Sequence, residues 1–588
     1  MKVRALWAFA LVLPLGLTGC AGLATSSGVH AEQAISNAAL PYLDVRALDP
    51  VEGQSAQDIV KYFVLAGASL DDNHGVARKY LTSGASAGWT PSEGATVTTG
   101  ESDYRVTGSS GRITISGRRQ ASLDARGHVA ETIPVTSTRA SFGVSKVGGE
   151  WRISSLPKGF RPWITDIDFL RVFSPRPIYY PAANLKVLVP DVQWYPDAGL
   201  ATAVARAVLA APPPWLRKVL NSPDRSRIRL AINAVPVDLN TGVATIDLSS
   251  QALAADGPTR LALWAAMTAT LTTVPSVTRV ELTVKGNRLT AADLPSKPLI
   301  ASDLGYQVVA PGGAGLVTRR GSNLSWKRPG VVGSSGDPDS PPVPLPRIKT
   351  DFYAIAADRT GSSIAALSTD RRSVGVWTAL KFRPVPTFAG NLTRPSFTGK
   401  VALVAGITGT RGAGIWALDT GPTTGQIRAR PLSTPWLHRA TVVAAKVSPE
   451  GVRVAMILRG PDGTSHLILA GLLRNTQGTP VGISQPVPMP VAINSLIDVA
   501  WADNASLIVL GGKVGADGRA VGNSEIAQVR LSGQADVFKA PAAVQEVVAT
   551  AVGPGDVFVL DHQGGVWLRE GVSWLRQPGI DDIAAPGA

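Results

Sequence analysis

The stretch VSPEGVRVAMIL, residues 447–458, joins a polar turn to an apolar strand. Ser, Pro, Glu and Gly in succession favour a tight turn, because proline fixes its own φ and glycine accepts a positive φ. The residues from Val454 to Leu458 are all apolar, which is typical of a strand buried on both faces. A turn followed by such a strand is the unit from which the C-terminal half of the chain is built.

The same unit recurs along the C-terminal half. Its polar turns are centred on Gly361, Gly399, Gly451, Asn504 and Gly555. Neighbouring turns are about 40–55 residues apart, the period of four-stranded propeller blades. We therefore predict an all-β propeller over 300–588, with about six blades and with the Gly-, Ser- and Pro-rich segment 333–347 as an extended loop. The turn at Gly451 resembles that of TolB-type propellers, because no Trp-Asp strand ending recurs. Trp377, Trp416, Trp501 and Trp567 are predicted to pack between blades.

Residues 166–299 are predicted to form an α/β domain. Strands are expected at 184–190, 228–238, 243–250 and 277–286. Helices are expected where Leu200, Val204 and Val208 repeat, and again within 259–276, where Leu261, Trp264 and Leu271 fall on one helical side. This order, together with VATIDLS (243–249), TLT (270–272) and VELTV (280–284), resembles the GerMN domain of spore-germination proteins. GerMN domains are associated with envelope remodelling and have no catalytic residues to carry over, so the resemblance implies binding.

Residues 41–165 are predicted to form an α+β domain. Ile59, Phe63 and Ala66 have helical spacing, a second helix follows, and alternating segments then indicate a curled antiparallel sheet. The ending GEWRI (149–153) before Leu156-Pro157 is similar to the last strand of the nuclear transport factor two superfamily. That resemblance implies a cone-shaped domain with a possible pocket.

The first twenty residues indicate export. Lys2 and Arg4 precede an apolar run over 5–17, which spans only about 20 Å as a helix and is too short to cross a membrane. Residues 1–19 are therefore predicted to be a signal peptide, and 20–40 a tether. Leu17-Thr18-Gly19-Cys20 resembles the bacterial lipobox, which implies that Cys20 receives an S-diacylglyceryl and an N-acyl group. The alternative is an ordinary signal peptide with a chance cysteine.

Charge and cysteine content limit the partners. The chain of 588 residues has 57 Lys and Arg against 43 Asp and Glu, a formal charge of +14. Such a basic protein favours an anionic partner. For an exported protein we expect a phospholipid surface or an envelope polymer rather than nucleic acid. The single cysteine excludes an intramolecular disulfide and any zinc site with two thiolates.

Catalytic motifs are mostly missing from the sequence. There is no Walker A loop, no HExxH and no histidine pair at helical spacing. Gly84 to Gly88 matches GxSxG around Ser86, but the following Trp-Thr-Pro does not favour a helix, so a flexible loop is expected. The carboxylate pairs Asp71-Asp72, Asp166/Asp168 and Asp581-Asp582 are more simply solvated surface. We predict no catalytic residue, no metal site and no cofactor.

A basic cluster is the first choice for contact with an anionic lipid or an acidic partner. It consists of Arg217, Lys218, Arg225, Arg227 and Arg229. The last three alternate toward one face of a strand, which predicts an exposed cationic stripe. The alternative is a solvated edge that discourages strand pairing.

The order of the parts is more specific than any single motif. A lipobox, an α+β domain, a GerMN-like unit and a propeller resemble, over essentially the whole chain, the actinobacterial LpqB lipoprotein family. The resemblance implies a lipid-anchored protein outside the cell membrane. It also implies contact with the extracellular domain of the sensor histidine kinase MtrB, modulation of the response regulator MtrA, and effects on cell-wall homeostasis and division. Only Cys20 carries over as a site. An envelope glycan- or lipid-binding protein or hydrolase, using the propeller or the N-terminal pocket, remains the alternative, and a purely structural protein is a third.

Overall fold

The structure is a computed structural model. It describes residues 47–99, 105–108, 111–183, 185–221, 227–290, 300–308, 315–328, 343–409, 412–422, 425–515, 520–550 and 555–587. The expected signal peptide, tether and lipid site at Cys20 lie outside these residues, and so does Arg225. The described residues belong to one compact unit of the chain.

The N-terminal part consists of helices followed by a sheet. The helices are α1 (Ala56–Ala66), α2 (Asp71–Lys79) and α3 (Ser83–Gly88). The strands are β1 (Gly94–Thr98), β2 (Arg105–Gly108), β3 (Arg112–Asp124), β4 (Val129–Val147), β5 (Glu150–Ser155) and β6 (Trp163–Thr165). The sheet has the order β5-β4-β3-β1-β6, with β2 paired to β3. Neighbours are antiparallel except β1 and β6.

Helix α1 covers one face of this sheet. It begins at Ser55, whose side chain accepts a hydrogen bond from the Asp58 N–H. Its apolar side chains, including Ile59 and Phe63, are buried with Ile113 and Phe142 of the sheet. The helices precede the sheet in the chain, as predicted from the sequence. The relationship to the nuclear transport factor two superfamily stays a prediction.

The middle part combines two small sheets with helices. Its elements are α4 (Asp166–Val172), β7 (Phe173–Pro181), β8 (Val187–Pro196), α5 (Leu200–Leu209), β9 (Val237–Asp238), β10 (Val243–Leu248), α6 (Gln251–Ala254), α7 (Gly257–Leu271), β11 (Arg279–Val284), β12 (Asn287–Arg288) and β13 (Gln307–Val308). The sheets have the orders β12-β11-β10-β9 and β13-β8-β7. Helices α5 and α7 bury Val204 and Trp264 in the shared core.

Two strands of the middle part differ from the sequence prediction. The strand expected over 228–238 is wrong, because only Val237–Asp238 form one, and Leu230 makes a single bridge to Leu248. Pro236 lacks the N–H that a continuous ladder needs. Strand β7 was not expected, because it contains three prolines. It lies at the edge of its sheet, where proline is tolerated.

Two short segments pack away from the domain in which the sequence placed them. Helix α4 lies on the N-terminal sheet, where Phe169 and Val172 are buried with Val97. Residues 300–308, assigned above to the propeller, pair through β13 with β8 of the middle part. Both segments therefore join neighbouring parts of the fold.

The C-terminal part is a propeller, which confirms that prediction. Its strands are β14 (Leu316–Arg320), β15 (Asn323–Lys327), β16 (Phe352–Ala357), β17 (Ser363–Ser368), β18 (Val374–Thr378), β19 (Lys381–Pro384), β20 (Ser396–Thr398), β21 (Val401–Thr408), β22 (Gly412–Asp419), β23 (Ala429–Pro431), β24 (Thr441–Val447), β25 (Arg453–Arg459), β26 (Ser465–Arg474), β27 (Pro480–Ile483), β28 (Val487–Met489), β29 (Leu496–Asp503), β30 (Ser506–Val514), β31 (Ala520–Arg530), β32 (Gln534–Ala540), β33 (Val544–Ala549), β34 (Val557–Asp561), β35 (Val566–Glu570), β36 (Ser573–Arg576) and β37 (Asp582–Ala584).

These strands form six consecutive antiparallel sheets. The first sheet is β15-β14-β37, the next is β16 to β19, then β20 to β23, β24 to β28, β29 to β32 and β33 to β36. The last strand of the chain, β37, thus completes the sheet with which the propeller begins. This closure joins the two ends of the propeller in one sheet, and the radial repeat leaves only short sheet edges. No helix of the described residues is long and apolar enough to cross a membrane.

Candidate functional site

The innermost strands of successive sheets lie side by side around the axis of the propeller. Strand β37 contacts β16, and contacts follow from β16 to β20, β20 to β24, β24 to β29 and β29 to β33. Val548 of β33 is buried with Ile583 of β37, which closes the ring. In a propeller these inner strands line the central channel. Their side chains are therefore the ones that the axis brings together.

Five charged side chains come from five different inner strands or the residues just before them. They are Arg394, Lys446, Asp498, Glu546 and Asp582. All except the half-buried Glu546 are less than one tenth exposed. Charged groups are buried at this depth only when they are paired or hydrogen-bonded. We call these five residues the axial cluster.

Arg394 is the centre of the pairing in the axial cluster. It forms an ion pair with Asp582, and its Nε lies 3.3 Å from Glu546 Oε2. Its Nη1 also donates to the Ile583 carbonyl at 3.2 Å. The surrounding carboxylates outweigh the effect of burial and raise the pKa of Arg394. The guanidinium therefore stays charged and holds three inner strands together.

The carboxylates also accept backbone hydrogen bonds across blades. The Ile355 N–H donates to Asp582 Oδ2 at 2.8 Å, and the Val547 N–H donates to Asp498 Oδ2 at 2.8 Å. Burial raises the pKa of Asp498 to about 6 and lowers the pKa of Lys446, with each group counteracting the shift of the other. These contacts join β16 to β37 and β29 to β33.

A small cavity lies beside the axial cluster. Arg394 and Lys446 line it with Trp501 and with small apolar residues of the inner strands. Its free space of about 20 Å³ has room for about one water molecule. A sugar or a nucleotide does not fit in such a space, since ligand pockets measure roughly 300–1,000 Å³. The arrangement is suited to closing the ring electrostatically.

Arg453, from the turn that introduced the propeller repeat, links this part to the middle part. Its Nε donates to Glu450 Oε1 at 2.6 Å, and both side chains are fully buried. Its Nη1 donates to the Pro190 carbonyl of β8 at 3.2 Å, and its guanidinium stacks over the Trp501 ring at 4.9 Å. The turn is therefore a point of attachment as well as a blade connection.

Strand β8 also contacts the other two parts of the fold through Trp194. The indole N–H donates to the Ser532 carbonyl of the propeller at 2.7 Å, and the backbone N–H donates to Gly127 of the N-terminal sheet at 2.7 Å. Gly127 has a φ of +86°, and a Cβ there would lie 2.7 Å from the Trp194 carbonyl oxygen. Only glycine fits this crossing without displacement of β8.

His128 forms a second link between the N-terminal sheet and β8. Its Nε2 lies 2.9 Å from Asp191 Oδ2, and its Nδ1 lies 3.4 Å from Asp124 Oδ2. Burial alone would lower the pKa of His128, but the hydrogen bonds to the two carboxylates raise it to about 10. The imidazolium is therefore charged at neutral pH and bridges both parts.

The structure places the basic residues expected to contact an anionic partner on different segments. Arg217 and Lys218 are exposed in the turns after α5, and Arg227 and Arg229 are exposed before the bridge at Leu230. The expected stripe along one strand is wrong, since residues 228–236 form no strand. The residues are nevertheless exposed, as a partner contact requires.

The candidate catalytic groups have other roles. Ser86 lies inside helix α3 rather than in a loop, and its carbonyl accepts from the Arg78 guanidinium. Asp582, expected on the surface, is buried in the axial cluster. Asp168 lies in the first turn of α4, where its N–H donates to Thr165. Among the described residues, no group of three or more His, Cys, Asp or Glu side chains could hold a metal ion.

The sequence contains a signal for the axial cluster that is not a catalytic motif. Lys446, Asp498 and Glu546 are each a lone charged residue inside an apolar strand, and they recur about 50 residues apart. A charge repeated at the blade period in the inner strands of several sheets marks the axis. Arg394 lies 52 residues before Lys446 and so shares this spacing, but it precedes its strand instead of lying inside it.

Three sequence families match consecutive parts of the chain. Residues 49–170 match the N-terminal domain of lipoprotein LpqB, 177–290 match a family described as sporulation and spore germination, and 336–587 match the β-propeller domain of lipoprotein LpqB. Together they follow the three parts of the fold in order.

Relatives are similar over most of the chain. Lipoprotein LpqB of Cutibacterium acnes is 27% identical over 99% of this chain and 98% of its own length. Lipoprotein LpqB of Streptomyces coelicolor is 26% identical over 95% and 94%. Among solved structures, TolB from Acinetobacter baumannii matches 46% of this chain and 66% of its own, with 13% identity and a TM-score of 0.31.

Proposed function

We propose that this chain, which belongs to the LpqB lipoprotein family, is a membrane-anchored protein that binds a sensor histidine kinase outside the cytoplasm and modulates it. The partner we propose is the extracellular domain of MtrB. Through it the protein would alter phosphorylation of the response regulator MtrA, and so cell-wall homeostasis and division. We assign the protein no catalytic role.

The proposed anchor is Cys20. It follows an apolar run of suitable length in Leu17-Thr18-Gly19-Cys20, and it is the single cysteine of the chain. Acyl chains contribute about 0.8 kcal/mol per buried CH₂, so diacylglyceryl and N-acyl groups together give stable attachment. The name lipoprotein, which the similar proteins carry, supports the same modification here.

The observation that carries the proposal is the way the three parts are joined. Strand β8 is bonded to the N-terminal sheet through Gly127 and His128, and to the propeller through Ser532 and Arg453. Such links hold several domains in fixed orientation, which favours recognition of an extended protein surface. The cavity at the axis has room for about one water molecule, so it does not favour a glycan or lipid ligand bound at the axis of the propeller.

Phosphate transfer in a reconstituted membrane tests this proposal. The kinase is placed in vesicles with and without the lipidated protein, and phosphorylation of the kinase and of its response regulator is followed over time. We expect the rate to change when the protein shares the membrane with the kinase. A rate that stays the same at saturating protein, with no complex recovered, would overturn the proposal.

The matched control is the variant Cys20→Ala. It keeps the described fold and removes the proposed attachment site, so its effect on the kinase should require a much higher concentration. This comparison separates membrane anchoring from binding, because a protein that binds without an anchor still acts when enough of it is added.

A further inference from the structure

One edge of the sheet in the middle part is both apolar and basic. Residues 229–231 run beside the end of β10, because the Ser249 N–H donates to the Arg229 carbonyl at 2.9 Å and the Ala231 N–H donates to Asp247 at 2.8 Å. Strand β9 pairs with the beginning of β10 on the same side. The chain from Arg229 to Leu239 thus follows one edge of a strand about 20 Å long.

Large aliphatic side chains along this edge are exposed to solvent. Ile232 is 63% exposed, Leu239 is 82% exposed, and Leu253 of α6, which follows β10 directly, is 55% exposed. Their neighbours Ile228, Leu248 and Ala252 are fully buried. Buried neighbours hold the segment in place while the three aliphatic side chains point outward.

Basic residues surround the end of β10. Arg227 and Arg229 are exposed, and so is Lys285 in the turn between β11 and β12. The Gly286 N–H of that turn donates to Asp247 Oδ1 at 3.1 Å, which places Lys285 at the same end of β10. Asp247 also accepts from Thr283, and Asp238 lies at the other end of β10, opposite Val243. We call Arg227, Arg229, Ile232, Leu239, Leu253 and Lys285 the edge patch.

We propose that the edge patch rests on the anionic phospholipid surface to which the protein is anchored. Exposed aliphatic side chains beside arginine and lysine are the combination that binds the interface of a bilayer, since the former enter the headgroup region and the latter attract anionic lipids. This inference rests on the proposed lipid anchor, which brings the patch within reach of the membrane. It orients the molecule and leaves the rest of its surface for the kinase.

Site-specific labelling tests the edge patch directly. Since Cys20 is the single cysteine and its sulfur is blocked when lipidated, Ile232→Cys gives a protein with one reactive thiol. An environment-sensitive dye on this thiol is compared in vesicles of phosphatidylcholine with and without phosphatidylglycerol. We expect a blue shift and about a twofold rise in emission with phosphatidylglycerol, reversed by added salt. Leu253→Cys should respond in the same way.

Val572→Cys is the matched control. Val572 is 96% exposed in the turn between β35 and β36 of the propeller, so a dye there should not respond to anionic lipid. Equal emission from residues 232 and 572 in all vesicles would overturn the proposal. A response at 232 that requires the kinase and not the lipid would also overturn it, and would assign the patch to the kinase.

A charge-reversal variant separates attraction from insertion. Arg227→Glu combined with Lys285→Glu should abolish the response of the dye at 232 to phosphatidylglycerol, and an unchanged response would contradict the role of charge. The unsubstituted lipidated protein reports on the anchor itself, because it takes up dye only if Cys20 is unmodified. Failure of the anchor is therefore distinguished from failure of the edge patch.

Discussion

Asp498 shows how a single residue of the axial cluster sets a pH dependence. Its carboxyl group is buried, and burial raises its pKa from 3.8 to about 6. Between these values the folded protein keeps a proton that the unfolded chain has released. The free energy of unfolding therefore falls as the pH rises through this window, and the loss persists above pH 6.

The variant Asp498→Asn should remove this dependence. Asparagine retains an oxygen for the Val547 N–H and carries no charge at any pH. The free energy of unfolding is measured with urea for both proteins at pH 3.5 and at pH 7.5. From the lower to the higher pH, we expect the difference between the two proteins to change by roughly 3 kcal/mol in favour of the variant. A variant that is less stable than the wild type only at pH 7.5 would show that attraction to Lys446 outweighs the cost of burial.

Arg394 stabilises the fold, since its charge neutralises two carboxylates, whereas the buried charge of Asp498 lowers the free energy of unfolding. Arg394→Met preserves most of the volume but leaves Asp582 and Glu546 without their cation. Breaking a buried pair in this way costs about 3–5 kcal/mol. We expect the thermal unfolding midpoint of Arg394→Met to fall by several degrees, whereas Arg430→Met on the exposed strand β23 should leave it unchanged. Equal midpoints would contradict a role of Arg394 in closing the ring.

At the scale of elements, β8 determines whether the three parts move together. Trp194→Phe keeps an aromatic ring in the apolar cluster and removes the hydrogen bond to Ser532. A lost hydrogen bond of a buried partner costs about 1–3 kcal/mol. We expect faster hydrogen exchange in the residues around 532 and a lower unfolding midpoint. The matched control is Trp574→Phe, which removes an indole hydrogen bond within the propeller and should leave exchange at β8 unchanged.

The link through His128 should weaken at alkaline pH. Its pKa rises from 6.5 to about 10 in the folded protein, so its stabilisation is complete below pH 6.5 and is lost as the pH rises through 10. Hydrogen exchange of residues 124–129 should therefore accelerate relative to the core of β3 between pH 7 and pH 10, after correction for the intrinsic rate. His128→Asn should show fast relative exchange already at pH 7. A wild type that does not change across this range would contradict the charged link.

The elements that sequence predicts well are those whose signal is local. Turns such as that at Gly451 and apolar strands such as 454–458 marked the propeller, because glycine and buried strands have recognisable patterns. Strand β37 has only three residues, and it pairs with β14, more than 250 residues away. No local sequence pattern therefore predicts it. Strand β7 was missed because its prolines are tolerated only at an edge, which sequence does not reveal.

The candidate site was predictable to a smaller extent. The exposure of Arg227 and Arg229 followed from their charge, but their place at the end of β10 depends on hydrogen bonds to Ser249. Asp582 was expected in solvent, because adjacent carboxylates are usually exposed. Its burial depends on Arg394, a residue 188 positions away. Partners this distant in sequence decide whether a charge is buried.

At the scale of the whole molecule, we propose a binding protein with a defined orientation. The propeller is closed by its own last strand and by the axial cluster, β8 joins the parts, and the edge patch is proposed to face the lipid. Each of these features stabilises a fixed arrangement rather than a moving one. A protein of this kind acts through the surface that it presents, and we propose that the surface contacts the kinase.

Flotation of the kinase's extracellular domain with vesicles tests that central claim most directly. Vesicles carrying the lipidated protein and bare vesicles of the same lipids are mixed with the purified domain and floated on a density gradient. We expect the domain to rise with the vesicles that carry the protein and to stay at the bottom with the bare ones. Equal amounts of the domain in the two floating fractions would contradict it.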